Sequence, residues 1–123
     1  MTDWEMCTSG AAILAAGENA DSTITASGQA LALWYNEAIG DLDTETGKSY
    51  IDNFGSLPTG VANTCGKVVA AKIAQRIVAY NTTGYLSREA DTILNVNDDI
   101  ITKGIRALRD FSNIKLRLSL IHI

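Results

Sequence analysis

The sequence predicts an all-α fold, a small bundle of about four helices dominated by a long antiparallel hairpin. Three observations lead there. Apolar residues recur at spacings of three and four through two long segments, Val61–Tyr80 and Ser87–Phe111. Between them lies Asn81-Thr82-Thr83-Gly84-Tyr85-Leu86, a polar stretch with a glycine that reads as the elbow of the hairpin. A single proline in 123 residues leaves little to interrupt long helices.

The first helix is expected to start at Thr2 or Asp3, because Thr2 and Glu5 have capping-box spacing. Trp4, Cys7, Ala11 and Leu14 would share one stripe, and Gly17 would end the helix. Asn19–Ser27 is rich in Thr and Ser and reads as a connector. A second helix is expected from about Ser27 to Thr44, burying Ala30, Leu31, Trp34, Ala38 and Leu42. Asp41, Asp43 and Glu45 oppose the dipole at its C-terminus, so that end should fray and Gly47 should close it. In the irregular stretch Lys48–Gly60, Tyr50, Ile51, Phe54 and Leu57 would pin the chain to the core.

Thr59 is the candidate N-cap of the third helix. Ala62, Cys65, Val69, Ile73, Ile77 and Tyr80 line one face of that helix, and Val68 and Val78 widen it. So broad a stripe places the helix either centrally in the bundle or against a neighbouring subunit. The fourth helix starts at Ser87 as N-cap. Glu89 and Asp91 lie in its first turn, and Lys103, Arg106 and Arg109 lie toward its end, both matching the macrodipole. Ala90, Ile93, Leu94, Ile101, Ile105 and Leu108 form its apolar face, with Asn95, Asn97, Asp98 and Asp99 on the polar one.

Length fits one domain, expected to span residues 1–117. Hydrophobic residues make up 46% of the chain and mean hydropathy is +0.06, rather apolar for a small acidic protein. Surplus apolar surface of this kind hints at oligomerisation. A net charge of −4 argues against sequence-nonspecific DNA binding, which needs a cationic face. The acidic start Met1-Thr2-Asp3-Trp4-Glu5 is no secretory leader, and no apolar run of about 18 residues exists to span a membrane. A soluble intracellular protein is expected. Cys7 and Cys65 form no Cys-x-x-Cys pair and read as packed thiols, with a disulfide or metal role as the other reading.

The last residues, Leu118-Ser119-Leu120-Ile121-His122-Ile123, resemble the translation of a transposon-end sequencing adapter. On that reading residues 118–123 are a non-native tail, the natural protein diverges after about Arg117, and the sole histidine, His122, has no role. The alternative is a genuine apolar tail.

Catalytic and ligand-binding patterns are missing. Gly60 and Gly66 are one residue too far apart for a phosphate loop, and Val68 stands where that loop needs Ser or Thr. Asn81-Thr82-Thr83 fits a glycosylation acceptor, but no secretory signal accompanies it. Asp98 and Asp99 are adjacent and point to different helix faces, which suits solvation better than acid–base work. No histidine can activate a Ser or Cys nucleophile, and no Cys/His cluster suits a metal. A glycine-rich dinucleotide fingerprint is also absent. The expectation is therefore a non-enzyme with no catalytic residues, no metal and no cofactor. Arg88, Arg106 and Arg109 read first as helix-end solvation and local ion pairs, and second as contacts to a phosphate or a partner's carboxylate. Trp34 reads as core, and Tyr35 as a boundary or interface residue.

Several stretches together resemble the head–tail connectors of tailed phages. They are Trp4-Glu5-Met6-Cys7-Thr8-Ser9-Gly10-Ala11, the Trp34/Ala38 helix, Tyr50-Ile51-Asp52, the elbow Tyr80–Ala90, Leu94-Asn95-Val96, Gly104-Ile105 and Leu108-Arg109-Asp110. The elbow is the best match. Asn97-Asp98-Asp99 departs from it, since a more basic helix surface is expected there. The resemblance implies a virion protein at the head–tail junction, made in the host cytoplasm. It would form a homo-oligomeric ring of roughly a dozen subunits by a repeating heterologous contact. Its partners would be the portal protein and the next tail-completion protein, with DNA passing through the lumen unread and no membrane involved. An acidic lining would suit that passage by repelling the duplex. Interface contacts are expected at Arg88, Arg106 and Arg109, with Tyr85 as aromatic anchor. The competing readings are a helix-turn-helix regulator, disfavoured by the acidic charge, and a generic helical protein-interaction or regulatory factor without enzymatic activity.

Overall fold

The computed structural model describes residues 4, 6–17, 20, 28–47, 50–51, 54–80 and 87–121, the side chains of Ser56, Ser87 and 111–121 excepted. Four α-helices occur there and no strand: α1 (Ser9–Ala16), α2 (Gly28–Thr46), α3 (Thr59–Tyr80) and α4 (Ser87–Ile121). A short 3-10 turn, Phe54–Ser56, precedes α3. The elbow 81–86, with Tyr85, lies outside the described residues, as does most of the 19–27 connector.

The centre of the bundle is α3. Its four consecutive residues Val68, Val69, Ala70 and Ala71 are all buried. Four residues exceed one turn, so the helix is enclosed on every side at mid-length. It packs against α1, α2 and α4. The wide apolar stripe therefore reflects a central position. Tyr80, expected on the buried face, is 59% exposed because it lies at the far end, beyond the enclosure. Thr59 is the first helical residue rather than the cap. The carbonyl of Pro58 accepts from Ala62 N–H at 2.9 Å, which is the bond a cap residue makes.

The hairpin is antiparallel. Gln75 Nε2 donates to the Leu94 carbonyl at 3.3 Å, and Gly104 of α4 faces Val68 and Thr64 of α3. The α2 helix also runs antiparallel to α3. Lys72 pairs with Glu45 at 3.1 Å, Arg76 with Glu37 at 2.9 Å, and the rings of Trp34 and Tyr80 are 6.3 Å apart.

The acidic end of α2 does not fray but runs on to Thr46. The Gly47 N–H donates to the Asp43 carbonyl at 2.9 Å, with Gly47 at φ +73°, a conformation glycine adopts without strain. Thr46 Oγ1 donates to the Leu42 carbonyl at 2.8 Å, and Arg109 Nε donates to the Glu45 carbonyl at 2.7 Å. A cation from α4 thus offsets the negative charge that would otherwise oppose the dipole. Next to it, the fully buried Tyr50 donates its hydroxyl to the Leu108 carbonyl at 2.9 Å, pinning the loop to α4 as its aromatic content suggested.

Two assignments in the N-terminal part are corrected. The first helix begins at Ser9, where Thr8 Oγ1 accepts the Ala11 N–H at 3.1 Å as an N-cap. Thr2 and Glu5 lie outside the described residues. Met6 and Cys7 form an irregular strap, and α1 buries Ser9, Ala12 and Ala16, while Ala11 and Leu14 face outward. On α2 the buried residues are Leu31, Tyr35, Ala38, Leu42 and Thr46, so Tyr35 is core and Trp34 only half-buried. The reason is the strap. Trp4 stacks on the Tyr35 ring with centroids 4.7 Å apart, and the Tyr35 hydroxyl accepts the Met6 N–H at 3.2 Å. The Met6 carbonyl then lies over Gly66, where a Cβ would stand 2.6 Å from its oxygen.

Candidate functional site

Two hollows flank the α3–α4 seam. The larger, of about 660 Å³, opens between α2, α3 and α4. Its charged lining alternates Glu45, Asp98 and Asp110 with Lys72, Arg106 and Arg109, over a floor of Ile101 and Ile105. It is an open, charge-balanced groove, with Lys72 already bonded to Glu45 and Arg109 to the Glu45 backbone.

The smaller hollow, of about 290 Å³, lies on the other flank and includes Lys67, Val68, Ile100, Lys103, Gly104 and Ala107. Helical spacing explains the separation. On α4 the large groove takes residues 98, 101, 102, 105, 106, 109 and 110, whereas the small one takes 99, 100, 103, 104 and 107.

Arg106 and Arg109, two of the residues expected to make contacts, line the same groove. Arg88 is exposed near the start of α4, about 27 Å along the helix axis from Arg106, so the three arginines do not form one patch. Tyr85 falls outside the described residues. Of the acidic pair, Asp98 borders the large groove and Asp99 the small one, where it bonds Lys103 at 3.0 Å. Adjacent residues on a helix do point apart.

Asn97 is a structural residue placed wrongly by sequence reasoning. Expected on the polar face, it is buried, and its Nδ2 donates to the carbonyls of Ala15 at 3.3 Å and Ile93 at 3.0 Å. Its position seven residues after Ala90 and four before Ile101 carries the signal, since both of those are buried.

Both cysteines are free, Cys65 buried and Cys7 half-buried, matching the packed-thiol reading. Burial pushes the Cys7 thiol from its usual 9.0 up to about 11. Among the described residues no His/Cys/Asp/Glu group could hold a metal, and no helix is long and apolar enough to cross a membrane.

Among the described residues the most exposed large apolar side chains are Leu14, Leu33, Tyr80 and Val96, each more than half exposed.

No protein-family model matches the chain, and no match was found among curated proteins or solved structures.

Proposed function

We propose that this chain is a head–tail connector subunit of a tailed phage, a non-enzymatic virion protein. It forms a ring beneath the portal and contributes part of the DNA channel. The observation that carries the reading is the α3–α4 hairpin, packed into a finished core while Leu33 and Tyr80 still face outward. A subunit built for a ring needs this combination: a rigid body that keeps its shape, and apolar side chains left for neighbouring copies. The excess of acidic residues is a second support, because an anionic channel wall does not retain DNA.

The same exposed residues would also serve a small fixed dimer, a generic helical interaction factor. Multi-angle light scattering with negative-stain electron microscopy separates the two. A connector gives annular particles that bind a portal ring, whereas a dimer with no affinity for the portal removes the connector reading. Charge reversal at Arg106 or Arg109 weakens portal docking if the large groove is the contact. Unchanged docking would assign that contact elsewhere.

A further inference from the structure

We propose that copies of this chain join head to tail, with the Leu33 corner of α2 in one copy seated in the Gly104 hollow of the next. The proposal rests on the connector reading for the ring but specifies a contact that reading does not.

Leu33 is 58% exposed and lies on the side of α2 opposite the buried row Leu31, Tyr35, Ala38 and Leu42. A turn further along the same face stands Glu37, and another turn on stands Asp41, both exposed. Tyr80 and Trp34 form an aromatic ledge beside it. Across Gly28–Thr46 there are four carboxylates, Glu37, Asp41, Asp43 and Glu45, and no basic residue. The corner is thus an apolar knob beside the Glu37–Arg76 ion pair, with Asp41 two turns along the same face carrying no ion pair among the described residues.

The hollow is its complement. Val68, Gly104, Ile100 and Ala107 give it an apolar interior, and Lys67 and Lys103 stand on its rim. At about 290 Å³ it falls just under the usual size of small-molecule sites and has room for a branched aliphatic side chain. Lys103 shares its charge with Asp99 in a solvated pair of little strength. Lys67 has no ion pair among the described residues, and neither has Asp41. The hollow matches the knob in size, and Lys67 on its rim is opposite in charge to Asp41 on the knob's face.

They also lie on different faces of the molecule. The α2 helix borders the large groove through Glu45, and the small hollow opens on the other flank of α4. A contact between two different patches is heterologous. It repeats from copy to copy until the rotation closes a ring.

Three samples of the full chain test this by native mass spectrometry and light scattering: wild type, Leu33→Asp, and Lys67→Glu with Ala107→Phe. All three sites are exposed, so circular dichroism should show the same helical content in each. The wild type is expected to form closed oligomers, and each variant alone should assemble more than roughly tenfold more weakly. An equimolar mixture of the two variants should form heterodimers that grow no further, because each copy retains one working patch. If the wild type assembles and the variants assemble equally well, the proposed contact is wrong and the connector reading survives. Variants that stay monomeric when mixed overturn the knob-to-hollow pairing. A wild type that is monomeric at high concentration overturns both.

Discussion

Gly104 of α4 lies so close to Val68 of α3 that a Cβ on Gly104 would collide with the Val68 Cγ2 methyl. Glycine is a poor helix former, and its presence inside a long helix is explained by this close approach. Val68 is fully buried and stiff at χ1, so relieving the clash would need a change of rotamer or a shift of the helix.

Gly104→Ala should therefore destabilise the protein by about 1–3 kcal/mol, despite a gain of roughly 1 kcal/mol in helix propensity. Adding Val68→Ala should recover part of the loss, because the two substitutions act on one contact. Denaturant melts of the two single variants and the double variant give the coupling. Additive losses would mean that the two residues do not meet.

Tyr50→Phe removes only the hydroxyl bonded to the Leu108 carbonyl and should cost about 1 kcal/mol. Tyr50→Ala also empties a fully buried site and should cost about 3–5 kcal/mol. The difference between the two unfolding midpoints measures how far the ring, rather than the hydrogen bond, fixes the loop to α4.

Asn97 supplies a donor to one of the last carbonyls of α1, a group with no partner inside its own helix. Asn97→Ala should cost about 1–3 kcal/mol. Asn97→Asp, the same shape without the N–H donors, should be worse. Hydrogen exchange at α1 should quicken in both variants, with α3 changing less.

Cys7 sets a dependence at high pH. Its folded pKa, about 11, is above the usual 9.0, so folding favours the neutral thiol. That contribution is complete below pH 9 and disappears as pH rises through about 11. The wild type should lose more stability across this window than Cys7→Ala, read from melts at a series of pH values. At neutral pH both thiols should alkylate slowly until the protein is denatured.

The hairpin was legible because several signals agreed. Periodicity through both long segments and an intervening polar stretch with a glycine pointed the same way, although the helix includes Ser87 and runs past Arg109 to Ile121. The first helix was not, because Ser9–Ala16 is small and apolar on all sides and has no distinct face. A threonine that caps from Thr8 and another at capping-box spacing at Thr2 look alike until the strap is placed. On α2 the rows through Trp34 and through Tyr35 both fit a helical stripe. What decides between them is the Trp4 ring and the Met6 N–H, both distant in sequence. Asn97 was misread for a related reason. Its partner is a carbonyl on another helix, and only tertiary structure supplies that. Of the expected contact residues, the helical spacing of Arg106 and Arg109 does place them together, and the length of α4 separates them from Arg88.

The Asn97 tie has a consequence for how the molecule comes apart. With eight residues, α1 is shorter than a helix that persists unaided in water. It borrows its order mainly from α3, and on α4 from the Asn97 amide and the neighbouring Ile93 side chain. Loss of the Asn97 amide should therefore loosen α1 first, exposing the flank of α3 that Ala12 and Ala16 cover.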